Sequence, residues 1–462
     1  MGETVKLEEN RKSRDVDLLH GSLWKNIPRL ALPMAASSIL QQLFNSADTA
    51  VAGQFAGSTA LAAVGANTEI VAIFVSLATG FALGINVLTA WAIGSGNRRQ
   101  IRETVQTMPL LSFILGLILM AAGLAISKPV LVWISTPPEA FDQALIYLRI
   151  LCPGLPFLVF YDFGAAILRA RGDSRRPLRA LIESGILNII LNLFFVIVFH
   201  LDVAGVAIAT DISNIYSAWL IIHWLRREEG EFRLQFRSLR FNRQVTRRIL
   251  QIGTPAALQE VVFCISNVFI QAAINSFGAD AVAGSSVSLN FEYFGYFMLA
   301  AFAQASTTFI SQNYAAGNNR RCRQIFRVTL VLALLLSSAI CIPLTIFRAQ
   351  AVWIYTSDPA VQAYACQRML LILFLTPVPS FYEVPAAVMR GYGHSLVPAL
   401  EALFGTCAGR IIWLFTVFRA WPTLPVLYLV YPVTWTITTI LTCTSLFVLL
   451  RRQDAAAASQ SV

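Results

Sequence analysis

Charge is scarce in this chain. Of its 462 residues only 13% are Asp, Glu, Lys or Arg, against 56% hydrophobic, whereas a soluble domain carries about a quarter charged residues. That shortage excludes a surface wetted on all sides. Histidine is scarcer still, and the four present are scattered and build no ligand set for a metal. The seven cysteines (152, 264, 322, 341, 366, 407 and 443) have no paired spacing. This excludes a disulfide framework and a metal knuckle, and leaves inert buried thiols. No glycine-rich phosphate loop sits between a strand and a helix, and no nucleophile elbow occurs. Nothing here points to an enzyme, to ATP hydrolysis or to a bound cofactor. No cleavable leader is evident: the first 26 residues are polar and an apolar stretch follows them directly.

Long uncharged runs are abundant: 104–127, 184–201, 328–347 and 420–450 are examples. Each is near or above the roughly 20 residues with which a helix crosses a hydrocarbon core about 30 Å thick. The runs are continuously apolar rather than alternating, which selects helices over a barrel. Twelve spans are predicted, at about 27–52, 60–93, 103–127, 139–169, 178–200, 203–225, 248–276, 281–313, 324–347, 359–389, 394–419 and 423–450. The fold expected is an all-α membrane protein.

Basic residues orient it. With the N-terminus in the cytoplasm, the inner segments 1–29, 94–104, 169–179, 226–248, 317–327, 390–393 and 451–462 hold 29 of the 35 Lys and Arg, and the outer loops hold only Lys128, Arg348 and Arg419. This obeys the positive-inside rule and places both termini in the cytoplasm of a cell-membrane protein. It also accounts for the net charge of +10 without a nucleic-acid partner. The basic stretch "RREEGEFRLQFRSLR" is read as a loop resting on anionic lipid.

The chain repeats itself at an offset of 221. "ILRARGDSRRPL" (167–178) lies over "VMRGYGHSLVPA" (388–399), and the same shift pairs Gly57 with Gly278, Pro156 with Pro377, Asp162 with Glu383, and Gly96, Asn97 and Arg99 with Gly317, Asn318 and Arg320. Each copy crosses six times, an even number, so the copies are parallel repeats related by an axis along the membrane normal. The expected organisation is a cytoplasmic segment 1–26, an N-lobe 27–225, a basic linker 226–247, a C-lobe 248–450 and a tail 451–462. Two matched six-helix lobes suit a secondary transporter that opens a central cavity to either side in turn. The repeated Arg–x–x–Gly–x–Ser–x–x–Pro segment reads as a structural turn.

Between Leu30 and Thr68 there is one charged residue, Asp48. Ionisable groups within spans face the bundle interior and are read as functional. Kept from water, Asp48 can trade its charge for a proton or hold one monovalent cation, and either event can bias a two-state bundle. Asn188 and Asn192, four apart, share a face of span 5. Thr210 opens a polar face of span 6 that continues through Asp211 and Asn214. These oxygen donors suit Na⁺ or a hydrogen-bonded proton site, and equally suit helix-to-helix hydrogen bonding. Pro33, fifteen residues before Asp48, can kink its helix. Asp162 and Glu383 either face the cleft or pair with Arg149, Arg368 or Arg410. Glu69, Glu260 and Glu292, nearer span ends, are expected to be solvated.

"LPMAASSILQQLFNSADTAVAGQFAG", "GILNIILN", "GVAIAT" and the paired turns resemble the MATE family of multidrug and toxic compound extrusion transporters, over about residues 20–450. The resemblance implies twelve helices in two lobes, exporting organic, often cationic and amphipathic, compounds against inward H⁺ or Na⁺. It implies that Asp48, Asn188 and Thr210 belong to a cation or proton site, that the helix bends at Pro33 and that Gln41 lines the cavity. Asn192 departs, since relatives commonly carry Asp there. Where many members have a glutamate in span 7 this chain has Phe263, with Glu260 about a turn earlier. The partners expected are a small-molecule substrate, the coupling cation and the bilayer, and the protein is expected to act as a monomer. A flippase moving a lipid-linked sugar or polar lipid, and a receptor or scaffold that transports nothing, are the alternatives.

Overall fold

The structure, a computed structural model, describes residues 15–134 and 136–460. Most of the predicted N-terminal segment, residues 1–14, and the last two residues of the tail lie outside them. The described residues are almost wholly helical and hold no strand. Among them nine helices are long and apolar enough to cross a membrane: α2 (Thr59–Gly94), α3 (Arg98–Trp133), α4 (Pro138–Arg171), α5 (Arg175–Val198), α6 (Asp202–Arg226), α7 (Arg243–Asn275), α9 (Asn319–Ile346), α11 (Leu396–Phe418) and α12 (Leu424–Gln453). A tenth span, α10, is the pair Pro359–Leu375 and Ser380–Gly391, bent by 47°. The two remaining predicted spans fall on helices just as long but more polar, α1 (Leu23–Val51) and α8 (Ala279–Ala315). Polar residues on a helix in lipid must face protein, and α1 is the helix that carries Asp48.

The duplication seen in the sequence is repeated in the backbone. Glycines at 57, 96 and 172 have φ of +91°, +67° and +103°, and their partners at 278, 317 and 393 have +92°, +77° and +91°. A left-handed φ favours glycine, so both copies keep the residue where the chain turns. Cross-helix bonds repeat too. Asn86 Nδ2 donates to the Ala166 carbonyl at 3.1 Å, and Thr307 Oγ1, 221 residues on, donates to the Ala387 carbonyl at 3.0 Å. Both fourth helices of a repeat are interrupted by a 3₁₀ turn, Cys152–Gly154 in α4 and Leu373–Leu375 in α10. Prolines at and after these turns remove the donors a continuous helix needs.

Two units emerge, one made of Ala36–Ala257 with the stretch ending at Asp17, the other of Leu18–Ala35 with the chain from Leu258 onward. The division runs through α1 and α7 rather than through loops. Within the first unit a continuous core includes Ile85, Met108, Leu131, Leu148 and Phe163. Small residues set its helix spacing: a side chain on Gly116 would strike Pro156, and one on Gly164 would strike Ile221. The second unit has separate clusters, one around Tyr428, Leu427 and Ile274 and another around Met369, Leu373 and Cys341. None of the seven cysteines forms a disulfide among the described residues.

The Arg–x–x–Gly–x–Ser–x–x–Pro segment is a turn, as read. Gly172 closes α4 in the left-handed region and its N–H donates to the Arg169 carbonyl. Tyr161 Oη donates to the Pro177 carbonyl at 3.1 Å. Beside it lies a charged network. Glu228 accepts from Arg171 at 2.5 Å and from Arg176, Arg176 also holds Asp173, and Asp15 meets Arg171 at 2.9 Å. Burial pushes the Glu228 carboxyl up, but the two guanidiniums outweigh it and hold it below the ordinary glutamate value. Burial likewise pushes Asp15 up, and there it prevails over Arg171.

Candidate functional site

Three helices of the first unit meet at Asp48. On α5, Gly185, Asn188 and Asn192 fall at spacings of three and seven and so share one stripe. On α1, Gln41, Phe44 and Asp48 do the same. Gly185 is what lets the stripes approach, because a Cβ there would overlap the Phe44 ring. With the Phe44 ring lodged against Gly185, Asp48 lies one turn further along α1, beside the two asparagines one and two turns further along α5. Thr210, on α6, completes the group.

The four side chains form one chain of hydrogen bonds. Asn192 Nδ2 donates to Asp48 Oδ1 at 2.5 Å and to Asn188 Oδ1 at 3.2 Å. Asn188 Nδ2 reaches Thr210 Oγ1 at 3.4 Å. Thr210 has a single proton, and its own Val206 carbonyl at 3.0 Å is a better acceptor than Asp48 Oδ2 at 3.5 Å. Asp48 is 8% exposed, yet only one of its oxygens is well answered. Asn192 Oδ1 is buried with no hydrogen-bond partner. A buried carboxylate with one bare oxygen, beside amide and hydroxyl oxygens, can take up a proton or a hard monovalent cation. Among the described residues no three His, Cys, Asp or Glu are grouped as a metal site would need.

Two further groups adjoin this cluster. Tyr147, buried on α4, lies within electrostatic reach of both Asp48 and Asp211. The carboxylate of Asp211 packs against Gly154 in the 3₁₀ turn of α4, where a Cβ would collide with its Oδ1. The sequence placed Asp211 on the polar face of α6 but gave no sign of its neighbour, and Tyr147 sits in an ordinary amphipathic stretch with nothing to mark it.

The remaining predicted residues lie elsewhere. Gln41 is half-buried two turns before Asp48 on the same face, outside the hydrogen-bonded chain. Pro33 lies within α1, which stays helical across it, two residues before the helix passes from one unit to the other. Asp162 and Glu383 each lie within electrostatic reach of the arginine seven residues on, Arg169 and Arg390, with no salt bridge between them among the described residues. None of the three arginines weighed for them plays that part. Arg149 is exposed, Arg368 serves Glu292, and Arg410 bonds Asn267 at 2.7 Å. Asp162 Oδ2 is buried and without a hydrogen bond.

Glu292 overturns its expectation. It is not solvated but 8% exposed, and Arg368 binds it in bidentate fashion at 2.7 and 3.0 Å, with Ser288 adding 2.8 Å. Proximity to a span end misled because α8 runs 37 residues, so Glu292 lies well inside it. Glu260 is half-buried, with Arg390 as its electrostatic partner, and Glu69 is exposed.

The MatE family model matches residues 33–194 and 255–414. "Probable multidrug resistance protein YoeA" of Bacillus subtilis is 24% identical over 392 residues, 83% of this chain and 84% of that protein. A protein of Shewanella oneidensis named "FAD transporter" is 28% identical over 355 residues, 74% of this chain and 77% of its own. Among solved structures, an outward-facing multidrug resistance MATE family transporter superposes with a TM-score of 0.86 at 22% identity, over 96% of this chain and 99% of that one.

Proposed function

This chain belongs to the MATE family, and from that premise we propose that it is a secondary antiporter exporting small organic, amphipathic compounds, cations among them, in exchange for inward H⁺ or Na⁺. That it is a membrane transporter and not an enzyme follows from the family; the direction, the coupling and the cargo are this proposal. One observation carries it. Asp48, Asn188, Asn192 and Thr210 come from three helices to a single buried cluster in which Asp48 keeps an oxygen almost without a donor. Had these polar groups served only to join helices, each would be expected to spend its donors and acceptors on its neighbours. The bare Asp48 and Asn192 oxygens favour a site that is filled in turn. The relatives named for multidrug resistance and for FAD transport support an organic cargo, and the bias of basic residues supports cytoplasmic termini.

Asp48→Asn, reconstituted in liposomes, tests the reading. With imposed pH and sodium gradients and a fluorescent organic cation, gradient-driven movement should fall at least about tenfold while yield and helical content hold. Transport at the parental rate would remove Asp48 from the coupling step. A labelled lipid moved in place of the dye would favour the flippase.

A further inference from the structure

The second unit carries its own buried polar cluster, of opposite charge. Arg368 on α10 and Arg410 on α11 are 3% and 4% exposed. They share the ring of Tyr431 on α12, whose centroid lies 5.8 and 4.7 Å from their guanidinium carbons. Phe263 on α7 flanks Arg410 at 5.8 Å, and Asn267, one turn on, accepts from its Nη1 at 2.7 Å. The offset of 221 that relates the two repeats places Arg368 over Tyr147, Tyr431 over Thr210, Asn267 over Ser46 and Arg410 over Ile189. Tyr431 thus stands where Thr210 stands in the first repeat and Arg368 where Tyr147 stands, while Asn267 and Arg410 fall on positions outside the hydrogen-bonded chain at Asp48.

The two arginines are not equally supported. Arg368 has the Glu292 carboxylate. Arg410 has no carboxylate in salt-bridge range among the described residues, and its Nε is buried without a hydrogen-bond partner. The other acids nearby, half-buried Glu260 and buried Glu383, have Arg390 as their electrostatic partner. Withdrawing a guanidinium from water is costly even after relaxation, and two cation–π contacts with one hydrogen bond offset less of that cost than a bidentate carboxylate does. A guanidinium fork with a spare N–H, between two aromatic rings, fits an oxyanion borne on a flat apolar body.

We infer that Arg410, with Asn267, Tyr431 and Phe263, is a cargo-binding site for the phosphate or carboxylate of an aromatic amphipathic solute. This deepens the reading of the chain as a transporter of organic compounds and names one class of them. It is independent of how Asp48 couples transport, because binding needs no gradient.

The test is a binding titration of the full-length protein in dodecyl maltoside, which carries no oxyanion. Riboflavin 5′-phosphate and riboflavin share a ring and differ by the phosphate, and tryptophan quenching reads both. The parent should bind the phosphate ester at least about tenfold more tightly. Arg410→Gln should bring the two within about twofold while riboflavin affinity is kept. Asn267→Asp retains the arginine but hands it the carboxylate it lacks, and should erase the preference in the same way, which keeps the test valid if Arg410→Gln fails to fold. Displacement by inorganic phosphate alone identifies the group as phosphate, and displacement by acetate as well extends it to carboxylates. Equal affinity of the parent for both flavins, no binding of either, displacement by neither anion, or a preference that survives both substitutions would overturn the inference. None of these outcomes bears on Asp48→Asn transport.

Discussion

At the scale of the residue, the first repeat places one acid where a second would change its chemistry. Asn192 donates to Asp48 through its amide nitrogen. Asn192→Asp removes that donor and sets two carboxylates against each other, and like charges this close cannot both stay ionised without a shared proton or a bound cation. The substituted protein should show Na⁺-dependent protection against thermal unfolding that the parent lacks or shows weakly. A melting curve indifferent to sodium in both would place position 192 outside the ion's reach. The four members of this cluster were legible in sequence because Asp48 is the one charge in a long stretch, Asn188 and Asn192 stand four apart on an apolar helix, and Thr210 opens a polar face. Arg368 and Arg410 were equally conspicuous, but their partners were not. Spacing within one helix does not say which of five others it faces, so the Glu292–Arg368 pair and the lone position of Arg410 emerge only once the helices are packed.

At the scale of the element, the site depends on a contact rather than on any donor. Gly185 admits the Phe44 ring and so fixes the distance between α1 and α5. Gly185→Leu should cost about 1–3 kcal/mol through overpacking and, placed in the Asn192→Asp protein, should abolish its sodium-dependent protection although Asp48, Asn188 and Thr210 are all retained. Adding Phe44→Ala, which vacates the ring, should recover part of both. Thermal melts with and without sodium or at two acidities read the effect, and a doubly substituted protein no better than Gly185→Leu would mean that the two side chains do not set the spacing. The interruptions in α4 and α10 were only partly legible. Prolines 156 and 377 marked both helices in sequence, but the 3₁₀ turns and the 47° bend depend on how each helix then satisfies its freed carbonyls. Two of the twelve spans, α1 and α8, are less apolar than the rest and bury polar residues, Ser37 and Asp48 in one and Ser306, Thr307, Gln312 and Asn313 in the other.

At the scale of the whole molecule, acid stability should be governed by the network that joins Asp15, Arg171, Arg176 and Glu228. The Glu228 carboxyl is held below its ordinary value, so its contribution is complete above the unfolded glutamate value of about 4.3 and fades as pH falls through the lower folded value. Asp15, raised by burial, has the opposite sign: its contribution is complete at low pH and declines as pH rises through its folded value. The acid limb therefore belongs to Glu228. Glu228→Gln should lower stability near neutrality by about 2 kcal/mol, in line with hydrogen bonds to charged groups, and flatten the decline in melting temperature below about pH 4.3. An unchanged acid limb would assign it to other carboxylates. Two six-helix repeats were legible from the recurrence of Gly57, Gly96 and Gly172 at 221 residues' distance. The partition of α1 was not, because a helix sequence carries no mark of which neighbours each half will have.

That partition bears on how the duplicated gene can be divided. A polypeptide ending in the loop at 226–247 would carry Leu18–Ala35, a strip that groups with the other half, and would lack the stretch of α7 up to Ala257 that groups with its own. The complementary fragment would begin at the linker and lack the same eighteen residues. Each half made alone would therefore end or begin within a helix that groups partly with the other, so the cut that respects the packing lies inside α1 and α7 and not in the charged loop between the repeats.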